Sequence, residues 1–264
     1  MMEYGHGGDI YRNRNVELDF SVNVNPLGMP NFVWEAAQRS IAFCTGYPDS
    51  SCENLRGRLS ELTGVPEDQM IFGNGAAELI FRLVQEVRPK KAVIPAPSFA
   101  EYETALRSCG TEIAFFYLKE AESFFLNISE FLDFLRAEQP EIIFLCTPAN
   151  PTGAMIRQAD LSKILDYCKK HGILLVLDEC FVEFLDEERS CGCIREFLDW
   201  ETGRPEHGGN LFLLRAFTKT YAMAGLRLGY GFCTSRQLLD RMETNWQPWS
   251  VSIPAQEAGY VALS

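Results

Sequence analysis

The sequence predicts an α/β fold: three layers, α/β/α, with a mostly parallel sheet carrying helices on both faces. Short runs rich in β-branched and aromatic residues recur along the chain, with helical patterns between them. Those runs show little polar alternation, as in Ile142–Cys146 and Ile173–Leu177. Strands of that kind are buried on both faces, which is the habit of a parallel sheet covered by helices. At 264 residues and 47% apolar content, the chain is long enough to bury a sizeable core around it.

Taken in order, Met1–Pro30 is rich in Asn, Gly and Pro and reads as an irregular arm. Met70–Phe72 is a strand that runs into a helix over Ala76–Val87. Strand Ala92–Pro95 precedes helix Phe99–Cys109, and strand Ile113–Leu118 precedes helix Ser129–Ala137, with Asn127-Ile128-Ser129 as a helix start. Strand Ile142–Cys146 precedes helix Ala159–His171, and Ile173–Leu177, Leu211–Leu214 and Leu228–Cys233 complete the strands. Trp246–Pro254 reads as a connector, and Ala255–Ser264 as the start of an apolar helix at which the chain stops. The expected division is an arm and the start of a small domain over 1–44, a large α/β domain over 45–245, and a connector with the beginning of a truncated C-terminal small domain over 246–264.

Composition narrows the function classes. A formal charge of −12 and a pI near 4.8 argue against a nucleic-acid partner, which requires a basic face. No apolar run approaches the roughly 20 residues that span a bilayer, so no membrane partner is expected. The first residues lack the pattern of a secretory leader. Nine cysteines, an odd number scattered through core-like segments, suit reduced thiols in the cytoplasm. Cys191-Gly192-Cys193 has no second ligand pair nearby, so no metal is expected.

The chemistry-bearing residues fall in the loops that follow strands. After Leu211–Leu214 comes Arg215-Ala216-Phe217-Thr218-Lys219, and Arg227 lies eight residues beyond the lysine. A lysine that forms a Schiff base needs a fixed place in a dry pocket, where its neutral amine can attack. A phosphate held beside it needs a guanidinium and a hydroxyl donor, which Arg227 and Thr218 supply. Gly73-Asn74-Gly75-Ala76-Ala77-Glu78 opens a helix after the first strand, where free N–H groups and the helix dipole favour an anion. A dinucleotide reading of this loop fails: Glu78 stands where the third glycine should be, and no acidic residue ends a strand about 20 residues on. Asp178 ends the strand Ile173–Leu177, a costly place for a carboxylate without a partner. Asn150, in Thr147-Pro148-Ala149-Asn150-Pro151-Thr152-Gly153, follows another buried strand, where open α/β sheets bind ligands.

Together these motifs, in this order, resemble the fold-type I pyridoxal 5′-phosphate (PLP) enzymes of the aminotransferase class I/II family. Within it they are most similar to the histidinol-phosphate aminotransferase and threonine-phosphate decarboxylase branches, from about His6 to the last residue. The resemblance implies PLP as cofactor, Lys219 as its Schiff-base lysine, and Asp178 as the catalytic partner of the ring nitrogen. It implies Asn150 as donor to the ring oxygen, Phe99 stacked on the ring, and Gly75, Ala76, Ala77, Thr218 and Arg227 around the phosphate. Tyr47, in Gly46-Tyr47-Pro48, would reach the phosphate of a neighbouring subunit, so a homodimer with shared sites is expected. Many aminotransferases carry a tyrosine three residues after the aspartate; here it is Phe181, a departure that the decarboxylase branch tolerates.

In the arm, His6 between glycines resembles a contact to substrate phosphate, and either Asn23 or Asn25 lines the substrate pocket. The expected substrate is a small, phosphorylated amino acid. Transamination and decarboxylation both stay open, because the arginine that clamps the substrate carboxylate in this family lies in the C-terminal small domain. A PLP-binding fragment without turnover is the alternative to an active enzyme.

Overall fold

A computed structural model describes residues 7–9, 11, 15–185 and 209–264. His6, Cys191 and Cys193 lie outside the described residues. Seven strands form one sheet: β1 (Met70–Gly73), β2 (Lys91–Ala96), β3 (Glu112–Tyr117), β4 (Ile142–Cys146), β5 (Leu174–Asp178), β6 (Leu211–Ala216) and β7 (Gly229–Phe232), in the order β1-β7-β6-β5-β4-β2-β3. Pairing is parallel from β6 across to β3, whereas β7 runs antiparallel to both its neighbours, β6 and β1. The expected mostly parallel sheet is therefore what forms.

The helices are α1 (Asn31–Ser40), α2 (Glu53–Thr63), α3 (Gly75–Val87), α4 (Ala100–Ser108), α5 (Ile128–Glu138), α6 (Gln158–His171), the short α7 (Phe217–Thr220), α8 (Arg236–Thr244) and α9 (Ile253–Ala262). Local chemistry sets several starts. The Asn127 side chain accepts from the backbone N–H groups of Ser129 and Glu130 at the head of α5, and Ser235 and Ser252 cap α8 and α9 in the same way.

Alternate residues of the central strands feed two cores, one on each face. Ile143, Leu145, Leu175, Leu177 and Leu213 pack on the face covered by α5, α6, α2 and α9. Ile142, Phe144, Leu174, Val176 and Leu214 pack on the opposite face against α3, α4 and α8. This double burial explains the absence of polar alternation in β4 and β5, whose residues are buried almost throughout. Strand β3 departs from the expectation. It lies at the sheet edge and is half-exposed along its length, with β2 its one strand partner among the described residues. Helices α1, α2 and α8, which the hydrophobic pattern did not single out, are formed; α1 packs along α9, and α9 against α2.

In chain order β2 leads outward to β3, and the chain then returns to place β4 on the other side of β2. The loops after β2 and β4 therefore diverge at the carboxyl edge of the sheet, the place where open α/β sheets leave a crevice for ligands.

Candidate active site

The crevice at that edge is a cavity to which the ends of four parallel strands contribute. Phe99 follows β2, Asn150 follows β4, Asp178 ends β5, and Thr218 and Lys219 follow β6; all five line it, with Arg227 and the first turn of α3, Ala76 and Ala77. Gly75 closes the same turn from behind. Its φ of +78° is a left-handed value that glycine adopts without strain. A Cβ on Gly75 would also lie 2.9 Å from Cζ of Arg227, so the guanidinium rests directly on this loop. Gly229 at the start of β7 matters for the same reason: a Cβ there would come 2.6 Å from the Gly75 carbonyl carbon.

Asp178 is 5% exposed, and both its oxygens are engaged. Oδ1 accepts from the Cys180 backbone N–H at 2.9 Å, and Oδ2 accepts from the Tyr102 hydroxyl at 2.6 Å. Burial first, and the Asp178 charge second, push the Tyr102 hydroxyl well above its ordinary value, so it remains a donor. The same two causes raise the thiol of Cys180 and of Cys146, which stands opposite Asp178 in the β4–β5 register. Tyr102 is the residue the motifs did not single out. The available signal was its position one helical turn after Phe99, which puts both rings on one face of α4, in edge contact at 5.6 Å.

The Lys219 amine lies over the ring of Phe181, with Nζ 5.3 Å from the centroid. A ring face attracts a cation and offers no hydrogen bond to the ring oxygen of a cofactor. Asn25 is brought to this turn by hydrogen bonds. Its backbone N–H donates to the Lys219 carbonyl at 3.0 Å and its Nδ2 to the Thr220 carbonyl at 2.9 Å, while Oδ1 accepts from the Leu27 N–H. Asn23 is exposed. Tyr47 is also exposed, stacks on Trp249 at 4.4 Å, and is not among the residues lining the cavity.

A sequence profile described as aminotransferase class I and II matches residues 15–264. The chain belongs to the aminotransferase class I and II family. It is, by that membership, an enzyme. The threonine-phosphate decarboxylase of Salmonella typhimurium is 38% identical to it over 267 residues, covering 98% of this chain and 70% of the relative. The histidinol-phosphate aminotransferase of Methanosarcina barkeri is 32% identical over 246 residues, covering 92% of this chain and 62% of the relative. Among solved structures, the histidinol-phosphate aminotransferase from Clostridium acetobutylicum superposes with a TM-score of 0.80 at 26% identity, covering 92% of this chain and 68% of that one. Among the described residues, no helix of this family member is long and apolar enough to cross a membrane.

Proposed function

We propose that this chain binds PLP in the cavity at the carboxyl edge of the sheet and uses it to break a bond at Cα of a small, phosphorylated amino acid. The observation that carries the reading is the convergence of Lys219, Asp178, Asn150, Phe99 and Arg227 on one cavity from five separate segments of the chain. The donor set fits the cofactor. Backbone N–H groups at the head of α3, the Thr218 hydroxyl and the Arg227 guanidinium suit a phosphate. The flat side of Phe99 suits a pyridine ring, and the buried Asp178 suits a protonated ring nitrogen.

When bound, the cofactor supplies a sink for the electron pair left on Cα. The chain's own residues do the rest. Asp178 would pair with the ring nitrogen, and Asn150 would donate to the ring oxygen. Lys219 would hold the cofactor through Nζ and is the group placed to carry a proton to or from Cα. Thr218, Arg227 and the head of α3 would hold the phosphate and so orient the cofactor.

Decarboxylation of the threonine-phosphate type is the favoured form. Phe181 withholds the hydroxyl that many aminotransferases direct at the ring oxygen, and the decarboxylase relative matches nearly the whole chain. Transamination of the histidinol-phosphate type is the second reading, supported by the other relative. The active unit is a homodimer in which Tyr47 of one copy, exposed on its own subunit, reaches the phosphate of the other. A cytoplasmic setting accords with the free cysteines among the described residues.

Mixing the purified protein with PLP should produce a visible absorption band that Lys219→Ala abolishes; no band in the parent protein sinks the proposal. Carbon dioxide release from threonine phosphate, measured beside turnover of histidinol phosphate with 2-oxoglutarate, separates the two forms.

A further inference from the structure

Asp178 is held from two sides by donors that no cofactor supplies. The Cys180 N–H fixes Oδ1, and the Tyr102 hydroxyl fixes Oδ2 at 2.6 Å, a length typical of a hydroxyl donating to a charged oxygen. A carboxylate has about four lone-pair positions, so these two bonds and the neighbouring Cys180 thiol still leave room for a partner in the cavity. Tyr102 is itself locked. It is 1% exposed, its ring stacks on Phe144 at 4.9 Å, and its edge meets Phe99 at 5.6 Å. The hydroxyl is thus held beside Asp178, with the Cys146 thiol as its other neighbour, and a carboxylate can only accept from it.

We infer that Tyr102 is a positioning residue that holds Asp178 in place and keeps it ionised, so that the proton shared between Asp178 and the cofactor's ring nitrogen stays on the nitrogen. The inference rests on the PLP reading given above and adds a residue to it. A hydrogen bond to a charged oxygen makes that oxygen a weaker base. Without the Tyr102 donor, Asp178 draws the proton toward itself, and the ring becomes a poorer electron sink.

The test is Tyr102→Phe in the holoenzyme, which removes one oxygen and keeps the ring between Phe144 and Phe99. Both parent and variant are loaded with PLP carrying 15N in the ring, and the nitrogen resonance is recorded with the dissociation constant. The parent should show a protonated ring nitrogen. The variant should show the resonance displaced toward the unprotonated position, a raised dissociation constant and a kcat reduced more than KM. Phe144→Leu, which loosens the packing and leaves the hydroxyl, serves as the comparison and should leave the resonance in place. An unmoved resonance in Tyr102→Phe overturns the inference while leaving the PLP reading intact, and so does an equal displacement in Phe144→Leu. Failure of the parent to bind PLP overturns both.

Discussion

Arg215 on β6 grips Glu179, the residue after β5, through Nε and Nη2, which both donate to Oε2 at 3.1 and 2.6 Å. Both side chains are almost wholly buried, at 6% and 1% exposed. The pair lies one residue beyond Asp178 and four before Lys219, and so ties together the two strands that deliver those groups. Deleting one partner strands the other's charge in the interior, whereas deleting both removes that stranded charge. Glu179→Leu should lower unfolding free energy by roughly 3–5 kcal/mol, and Arg215→Met combined with Glu179→Leu should cost much less than the two single changes summed. Urea unfolding of the four proteins measures the cycle, and additive costs would refute the coupling.

Gly229→Ala tests the approach of β7 to the α3 loop. With no room between Gly229 and the Gly75 carbonyl carbon, the extra methyl must push the loop away. The expected cost is about 1–3 kcal/mol of stability, together with a weakened affinity for inorganic phosphate and PLP in equilibrium dialysis. Gly225→Ala, where a Cβ meets nothing within 4 Å, is the matched control and should do neither.

Asn25→Ala should loosen the arm. The residue's side chain donates to the Thr220 carbonyl and accepts from the Leu27 N–H, so its loss should cost about 1–2 kcal/mol locally and speed amide exchange in the arm segment around residue 25. Asn23→Ala, at an exposed position, should leave exchange unchanged. Equal effects from the two would show that the arm is not held by Asn25.

Acid stability gives a fourth expectation. The Asp160 side chain in the first turn of α6 is 6% exposed; burial pushes its carboxyl up, but hydrogen bonds from Arg157 and Lys163 outweigh this and hold it below the ordinary carboxylate range. A pKa lower in the folded than in the unfolded chain adds stability that is fully present above about pH 4 and lost as pH falls through the folded value. Asp160→Asn should therefore destabilise the protein at pH 7, by about 0.5–1 kcal/mol, and this deficit should shrink toward pH 2.5. A deficit independent of pH would contradict the assignment.

Much of the sheet and of the cavity wall was legible because single residues there satisfy a demand that leaves few substitutes. Strands β4 and β5 are buried on both faces and so are apolar without alternation, and Lys219, Asp178 and Asn150 stand in loops at strand ends. Helices α1, α2 and α8 were not legible. Pro30 precedes α1 with no side-chain cap, and α2 starts after Cys52 in a left-handed conformation, so neither carries the usual start signal. Strand β3 looked like a core strand because an edge position is a property of topology, absent from local sequence. The Tyr102–Asp178 bond spans 76 residues, and nothing in either segment alone announces it. Glu78, which broke the dinucleotide pattern, has a positive role in the fold: one oxygen accepts from the Asn74 N–H and the other from the Trp246 indole.

The placement of β7 has a consequence for how the molecule comes into being. Strand β1, which ends in the α3 loop, touches the rest of the sheet only through β7, and β7 emerges from the ribosome some 160 residues after it. Until then the β1 edge has no partner, and the half of the cavity made by α3 cannot meet the half made by Lys219. Chains shortened before Gly229 should stay incapable of holding a ligand however well β2 to β6 have paired. Of the seven strands described, the one made latest thus closes the circuit, and long-range pairings of this kind are the slow step in forming such sheets.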